Sequence, residues 1–276
     1  MEQYKTLIEA LLAAMPRINA YAGKTVVIKV GGSTLGSHDT ALEDIVALSR
    51  LGIKVVVVHG GGTAISRWLQ TIGKEPRFIN GLRVTDGETM EIVTMVLAGK
   101  VNKDIVASLI RLGGQAVGMS GLDGGLMRAR QINPDLGLVG EITETNLSLV
   151  DSALALGHIP VIAPIAMGDL GVSLNTNADT AAAEVAVGLK AEKIIFLTDV
   201  IGICDNDKNL LPHLTVAQAQ ELIDSGVISG GMIPKAQACF RALDGVKGAH
   251  IIDGRVDHAL IRELLTDNYV GTTIVR

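Results

Sequence analysis

The sequence predicts an α/β protein: a mainly parallel, open central sheet with helices on both faces, in two lobes, preceded by an N-terminal helix extension. Three observations carry this. Hydrophobic residues make up 48% of the 276-residue chain but aromatics only 3%. The core is therefore Val, Ile, Leu and Ala, the residues of parallel strands buried on both faces. Thirty-two glycines stand against seven prolines, which suits many tight strand-to-helix turns. Apolar strand-like runs alternate with helical periodicity along the chain, the order that builds a sheet with crossover helices.

Residues 4–15 place Leu7, Ile8, Leu11, Leu12 and Met15 on one helical face, after which Pro16 ends or kinks the helix. That stripe either caps the domain's own core or lies on another subunit. Val26–Val30 is a buried strand that empties into Gly31 and Gly32. A helix over about 40–51 leads through Gly52 into the apolar strand 53–58. His59-Gly60-Gly61-Gly62 and a helix over 63–72 repeat the unit, so with parallel strands both glycine turns face one sheet edge. Gly81–Asp86 reads as a loop entering a helix over 87–111, with Asp86 as N-cap. A strand at 115–119, a hairpin from 126–130 and 138–145, a helix near 147–156 and a strand at 159–163 come next. Residues 164–174 suit a second hairpin, and Asn177 or Asp179 opens an Ala-rich helix to about Leu189. The remainder reads as strand 193–198, helices 215–224 and 234–246, strand 249–252, helix 257–265 and strand 272–275. A lobe boundary falls near 188–191.

A net charge of −5 without any long Lys/Arg run excludes broad nucleic-acid binding and an anionic membrane surface. No apolar run approaches membrane-spanning length. Cys204 and Cys239 are far apart, in no metal-ligand spacing, and read as reduced packing residues. Met1–Lys5 carries no signal-peptide pattern, so the expected location is cytoplasmic.

The polar residues inside this apolar frame carry the chemistry. A lysine within a buried strand is costly to desolvate unless an anion sits against it. Lys29, followed by bare backbone at Gly31 and Gly32, reads as a phosphate site, or equally as a rim lysine snorkelling to water. Gly230–Lys235 repeats the arrangement at a helix start, where Lys235 alone also fits a solvated first-turn residue. Asn175-Thr176-Asn177-Ala178-Asp179 packs more short polar side chains than one helix cap requires. Thr198 and Asp199 close a strand's carboxyl end, where open α/β sheets bind ligands. No P-loop or dinucleotide fingerprint is present. His59–Gly62 matches an esterase oxyanion loop, but the required Gly-x-Ser-x-Gly elbow is only approached at Gly118–Leu122, where leucine replaces the last glycine.

Six motifs occur in register: Val-Ile-Lys-Val-Gly-Gly-Ser (27–33), His-Gly-Gly-Gly (59–62), Asn-Gly-Leu-Arg-Val-Thr (80–85), Asn-x-Asn-Ala-Asp (175–179), Leu-Thr-Asp-Val-x-Gly-Ile (197–203) and Gly-Gly-Met-Ile-Pro-Lys (230–235). Over essentially its whole length the chain resembles the amino acid kinase family. The third and sixth motifs resemble the branch that phosphorylates N-acetyl-L-glutamate. The resemblance implies transfer of the ATP γ-phosphoryl group to the γ-carboxylate of that substrate in arginine biosynthesis, with Mg²⁺ held mainly by the nucleotide phosphates. It implies Lys29 and Lys235 as the transition-state lysines and Asp179 as their organiser. Substrate would lie on Gly61, Gly62, Arg83 and Asn175, and nucleotide near Gly31, Gly32, Thr198, Asp199 and Gly202. Residues 23–190 would form the substrate lobe and 191–276 the ATP lobe.

Elementary chemistry agrees with those roles. A glutamate-type carboxyl group, with an ordinary pKa of about 4.3, is already ionised at neutral pH and needs no general base. Phosphoryl transfer between two anions needs charge neutralisation, which two lysines and bare N–H groups supply. The fork of Arg83 suits a planar carboxylate. Residues 1–22 resemble the helix extension that interlaces dimers into hexamers in arginine-inhibited members of the family. That resemblance implies a homo-oligomer, dimer or hexamer, and an arginine effector site near Glu263 and Gly271. Thr63, Leu122 and Asp257 depart from the family pattern, away from the proposed chemistry. Two rivals stand beside this reading: a sister kinase for a related acidic substrate such as a carrier-linked aminoadipate, and a non-catalytic arginine or nucleotide sensor. A sensor has no need of transition-state charge, so Lys29, Asp179 and Lys235 together speak against it.

Overall fold

The computed structural model describes residues 2–31, 40–267 and 270–276, so Gly32 of the nucleotide set lies outside the described residues. The chain opens with helix α1 (Glu2–Tyr21), then β1 (Thr25–Val30), α2 (Ala41–Arg50), β2 (Lys54–His59) and α3 (Gly62–Thr71). A small hairpin, β3 (Phe78–Ile79) and β4 (Leu82–Arg83), leads into α4 (Gly87–Thr94), a π-helical stretch (Met95–Val101), α5 (Asn102–Arg111) and β5 (Ala116–Ser120). Next come β6 (Met127–Gln131), β7 (Gly140–Thr145), α6 (Ser148–Ala155), β8 (Ile159–Ala163), β9 (Ile165–Met167) and β10 (Ser173–Asn175). The last part is α7 (Ala178–Gly188), β11 (Lys193–Thr198), β12 (His213–Thr215), α8 (Val216–Asp224), α9 (Met232–Ala242), β13 (Ala249–Asp253), α10 (Ala259–Leu265) and β14 (Thr272–Val275).

Eight strands form one twisted sheet in the order β12-β14-β13-β11-β1-β2-β8-β5. β1 lies inside it, parallel to β2 and β11, with Lys29 in register with Val58 and Phe196. Only the far edge reverses: β14 runs antiparallel to β13, and β12 runs alongside β14. Alternate residues of β1 feed different cores. Val27 packs with Ala-rich α7 and with α9, whereas Val26, Ile28 and Val30 pack with α2 and α10. Burial on both faces explains why these strands read as unbroken apolar runs. The sheet continues across residues 188–191 through the pairing of β1 with β11.

The two expected hairpins form, and together they make a second sheet in the order β10-β9-β6-β7. Helix α1 does not end at Pro16 but runs through it to Tyr21. Buried Tyr21 and half-buried Ile18 pack on the core beyond the proline, holding the last turn despite the lost backbone donor. Asp86 caps α4 as expected, its carboxylate accepting from Thr89 N–H at 2.8 Å. The helix expected over 87–111 contains the π-helical stretch, which apolar periodicity does not reveal. A hairpin replaces the plain loop expected around Gly81, because Phe78 pairs with Arg83. No helix among the described residues is long and apolar enough to cross a membrane.

Candidate active site

Helix α7 begins where the second sheet meets the first. Asn177 is its cap, its side-chain oxygen accepting from Asp179 N–H at 2.8 Å and Thr180 N–H at 3.1 Å. Asp179 is thereby free to serve other partners. Lys29 Nζ lies 2.9 Å from its Oδ1, and Lys235 Nζ, from the first turn of α9, donates to Oδ2 at 3.0 Å. Lys29 and Asp179 are each only 7% exposed. Burial alone favours a protonated Asp179, but the ammonium groups of Lys29 and Lys235 outweigh it and hold the carboxyl below the usual range. Burial also pulls Lys29 below an ordinary lysine, with Asp179 opposing that and Lys235 reinforcing it. Two cations around one anion leave a positive charge to spare at the carboxyl end of β1.

The glycine turn after β2 lies beside this cluster. Gly60 N–H donates to Val30 O at 2.9 Å, tying the ends of the two central strands together. Gly61 is buried, and a Cβ there would stand 2.5 Å from Leu97 Cδ2. Helix α3 starts at the next residue, and the first N–H groups of a helix have no partner within it.

Arg83 reaches the same turn from β4. Its Nη2 donates to Gly62 O at 2.8 Å and Ser66 Oγ at 2.9 Å, and its guanidinium lies over the Phe78 ring at 4.8 Å. Burial weakens its hold on the proton. Its Nη1, though buried, has no hydrogen-bond partner among the described residues. A buried guanidinium nitrogen without an acceptor is expensive, and a carboxylate is its natural complement. Asn175 joins this group through Thr85: Asn175 Nδ2 donates to Thr85 Oγ1 at 3.2 Å, and Thr85 Oγ1 donates to Arg83 O at 2.8 Å.

Of the nucleotide set, Thr198 is buried at the end of β11, its hydroxyl 3.4 Å from Asp199 Oδ1, and Asp199 is exposed. Gly202 has φ of +135°, and a Cβ there would stand 2.6 Å from Leu210 Cδ1 and 2.8 Å from Thr272 Oγ1. Gly31 directly follows β1, next to the end of β11. Glu263 and Gly271 belong to a separate cluster around α10 and β14. Glu263, 1% exposed, has Oε1 2.7 Å from His250 Nδ1 and accepts from Val270 N–H at 3.0 Å. Gly271 has φ of +105°, and a Cβ there would fall 2.1 Å from Ile251 O, so only glycine fits.

The model of the amino acid kinase family matches residues 24–253. The chain belongs to the amino acid kinase family. Among similar proteins, the acetylglutamate kinase of Caldanaerobacter subterraneus subsp. tengcongensis is 50% identical over 273 residues, covering 96% of this chain and 91% of that protein. The solved N-acetylglutamate synthase from Neisseria gonorrhoeae complexed with coenzyme A and N-acetyl-glutamate superposes with a TM-score of 0.86 at 29% identity. That match takes in 98% of this chain, which spans only 63% of the synthase's length. The same synthase complexed with coenzyme A and L-arginine matches with a TM-score of 0.79 at 26% identity, over 97% of this chain and 65% of that one.

Within this amino acid kinase, sequence reasoning missed Thr85 and Ser66 as supports of Arg83. Thr85 closes the Asn-Gly-Leu-Arg-Val-Thr motif, and that position was its only signal. Ser66 carried none, because its place on the inner side of α3 depends on where β4 lands.

Proposed function

We propose that this amino acid kinase transfers the γ-phosphoryl group of ATP to the γ-carboxylate of N-acetyl-L-glutamate, a step of arginine biosynthesis. The observation that carries the reading is the seating of Lys29 and Lys235 on the two oxygens of Asp179. A carboxylate oxygen forms a bond to the γ-phosphorus as the bond to the bridging oxygen breaks, and that electron pair leaves on ADP. No proton moves, and no general base is required. The obstacle is repulsion between two anions, and a preorganised pair of ammonium groups with surplus positive charge offsets it. Asp179 keeps both in place without water having to reorganise.

In this reading the unpartnered Nη1 of Arg83 takes the substrate α-carboxylate, the turn at Gly61 and Gly62 supplies backbone donors, and Asn175 holds the remaining polar end. Gly31, Gly32, Thr198, Asp199 and Gly202 receive the nucleotide, so residues 191–276 act as the ATP lobe and 23–190 as the substrate lobe. Both oxygens of Asp179 are engaged by lysines, so Mg²⁺ fits on the nucleotide phosphates, where it neutralises charge.

Arginine feedback belongs to the same proposal. Glu263 supplies a buried carboxylate whose Oε1 lies 2.7 Å from His250 Nδ1 and has no further hydrogen-bond partner among the described residues, an acceptor suited to a guanidinium. Ile8, Leu11, Leu12 and Met15 on α1 are 56%, 58%, 65% and 45% exposed, an apolar face that a second α1 would cover in a homo-oligomer. Removal of residues 1–16 should then lower the mass in solution. The cytoplasm is the compartment that supplies this enzyme with ATP. ADP release measured with N-acetyl-L-glutamate, L-glutamate and L-aspartate tests the function: turnover is expected with the first alone, and equal turnover with unacetylated glutamate would contradict it.

A further inference from the structure

His59 is wholly buried at the end of β2, directly before the glycine turn, and the phosphoryl-transfer chemistry does not use it. Its surroundings form a chain of hydrogen bonds. Lys103 Nζ donates to Asn102 Oδ1 at 3.0 Å and to Gly118 O at 3.3 Å. Asn102 is also wholly buried, and its Nδ2 donates to Val161 O at 2.8 Å, near Met119 O at 3.3 Å, and lies 3.2 Å from His59 Nε2. His59 Nδ1 lies 2.9 Å from Gly60 O.

One assignment leaves no donor facing a donor and no acceptor facing an acceptor. An ammonium cannot accept, so the Asn102 oxygen faces Lys103 and its amide nitrogen faces the carbonyls and the imidazole. Two donors cannot face each other, so His59 Nε2 accepts, its proton sits on Nδ1, and Nδ1 donates to Gly60 O. The carbonyl and N–H of a trans peptide point in opposite directions. With the Gly60 carbonyl held toward the imidazole, the Gly61 N–H on the same peptide points the other way, out of the core.

Two independent features show that this chain of bonds is built into the fold. A Cβ on Gly118 would stand 2.0 Å from Asn102 Oδ1 and 2.6 Å from Lys103 Nζ, so the network needs glycine there. The π-helical stretch Met95–Val101 ends immediately before Asn102. Such a stretch adds a residue to the helix and rotates the turns beyond it. Here Leu97 and Val101, from the stretch itself, are the side chains packed against Gly61.

We infer that His59 and Asn102 are positioning residues: a neutral imidazole, locked by Asn102, aims the Gly61 N–H at the phosphoryl group in transit. This rests on the kinase reading above. Burial drives the His59 imidazolium down to a pKa of about 4, with Lys103 adding to the same effect, so the imidazole stays neutral across the working pH range.

Two measurements test this. In ¹⁵N-labelled wild type, the His59 imidazole, assigned by its loss in His59→Gln, should show an Nδ1–H tautomer from about pH 8 to about pH 5. An Nε2–H tautomer, or titration near the ordinary value, overturns the inference, and through-bond correlation of the ring to its own backbone in wild type supplies the assignment should His59→Gln misfold. In kinetics, His59→Gln keeps a polar group near the Nε2 position and loses the one at Nδ1, while His59→Asn does the reverse. His59→Gln should lose kcat by up to about 100-fold with little change in either KM. His59→Asn should recover most of that loss. Equal kcat in both variants, or a change confined to KM, overturns the proposal. Wild type that fails to phosphorylate N-acetyl-L-glutamate would sink the kinase reading instead, and the tautomer would still decide whether His59 orients the turn.

Discussion

Lys29 and Lys235 hold opposite oxygens of one carboxylate, Lys29 Nζ at 2.9 Å from Asp179 Oδ1 and Lys235 Nζ at 3.0 Å from Oδ2. One lysine is the penultimate residue of a central strand and the other lies in the first turn of a helix from the far part of the chain. Two ammonium groups repel, so only a shared anion makes this spacing stable in a buried site. The result is a partly uncompensated positive site, which in the proposed reaction a phosphoryl group would complete.

Replacing that anion should therefore be costly twice over. Asp179→Asn leaves two cations facing a neutral amide, and breaking a buried ion pair costs about 3–5 kcal/mol. Both the melting temperature and kcat should fall. The carboxyl titrates below its ordinary value of 3.8 in the folded protein. Its stabilising contribution is thus complete above that pH and is lost as pH falls through the lower folded value. Asp179→Asn should lack that part of the acid unfolding, as melting curves taken below about pH 4 would report.

Arg83 predicts a different kinetic signature. On the proposed reading, truncation to alanine removes a binding contact present before and during transfer, so KM for the acyl amino acid should rise more than kcat falls. Arg83→Lys keeps the charge but not the fork, and should recover only a small part of the loss. Nucleotide KM should be unaffected.

Stability at neutral-to-acid pH should depend on His59. Its imidazole binds a proton at about 4 when folded, against 6.5 when unfolded. Between those values the unfolded state carries more protons, so stability rises with pH and falls on acidification, by about 3 kcal/mol at most from this residue. His250 is lowered too, by burial, and adds a slope of the same sign, while His258, raised by its hydrogen bond to Asp44, and Asp44, raised by burial, add slopes of the opposite sign. His59→Asn should lose less melting temperature than wild type between pH 6.5 and pH 4, the window of the His59 shift.

The effector proposal predicts that Glu263→Gln moves the ratio of turnover with and without arginine to one. Gly271→Ala should do the same with loss of stability, since its φ of +105° and the nearby Ile251 carbonyl leave no room for a Cβ. Rates measured across an arginine titration check both.

Most of the frame was legible because burial on both faces writes itself as unbroken apolar runs. Lys29 stood out as a charge deep inside such a run, whereas Lys54 and Lys193 stand only at the first position of theirs. The choice between Asn177 and Asp179 as cap was not legible, because both are short polar residues at cap-compatible positions. Lys29 and Lys235 decide it from distant segments. The π-helical stretch escaped because Met95–Val101 keeps the composition of an ordinary apolar helix. Strand β12 escaped because three residues carry no period. The role of Thr85 depends on Asn175, which arrives from another sheet, and no local pattern announces such a meeting.

The most direct measurement is steady-state ADP release by Lys29→Ala and Lys235→Ala with N-acetyl-L-glutamate as acceptor. Each should lose kcat by roughly 100- to 1,000-fold with smaller changes in KM, as when a preorganised donor to a developing charge is removed. Normal turnover in either variant would contradict the claim that two lysines on one carboxylate drive the transfer.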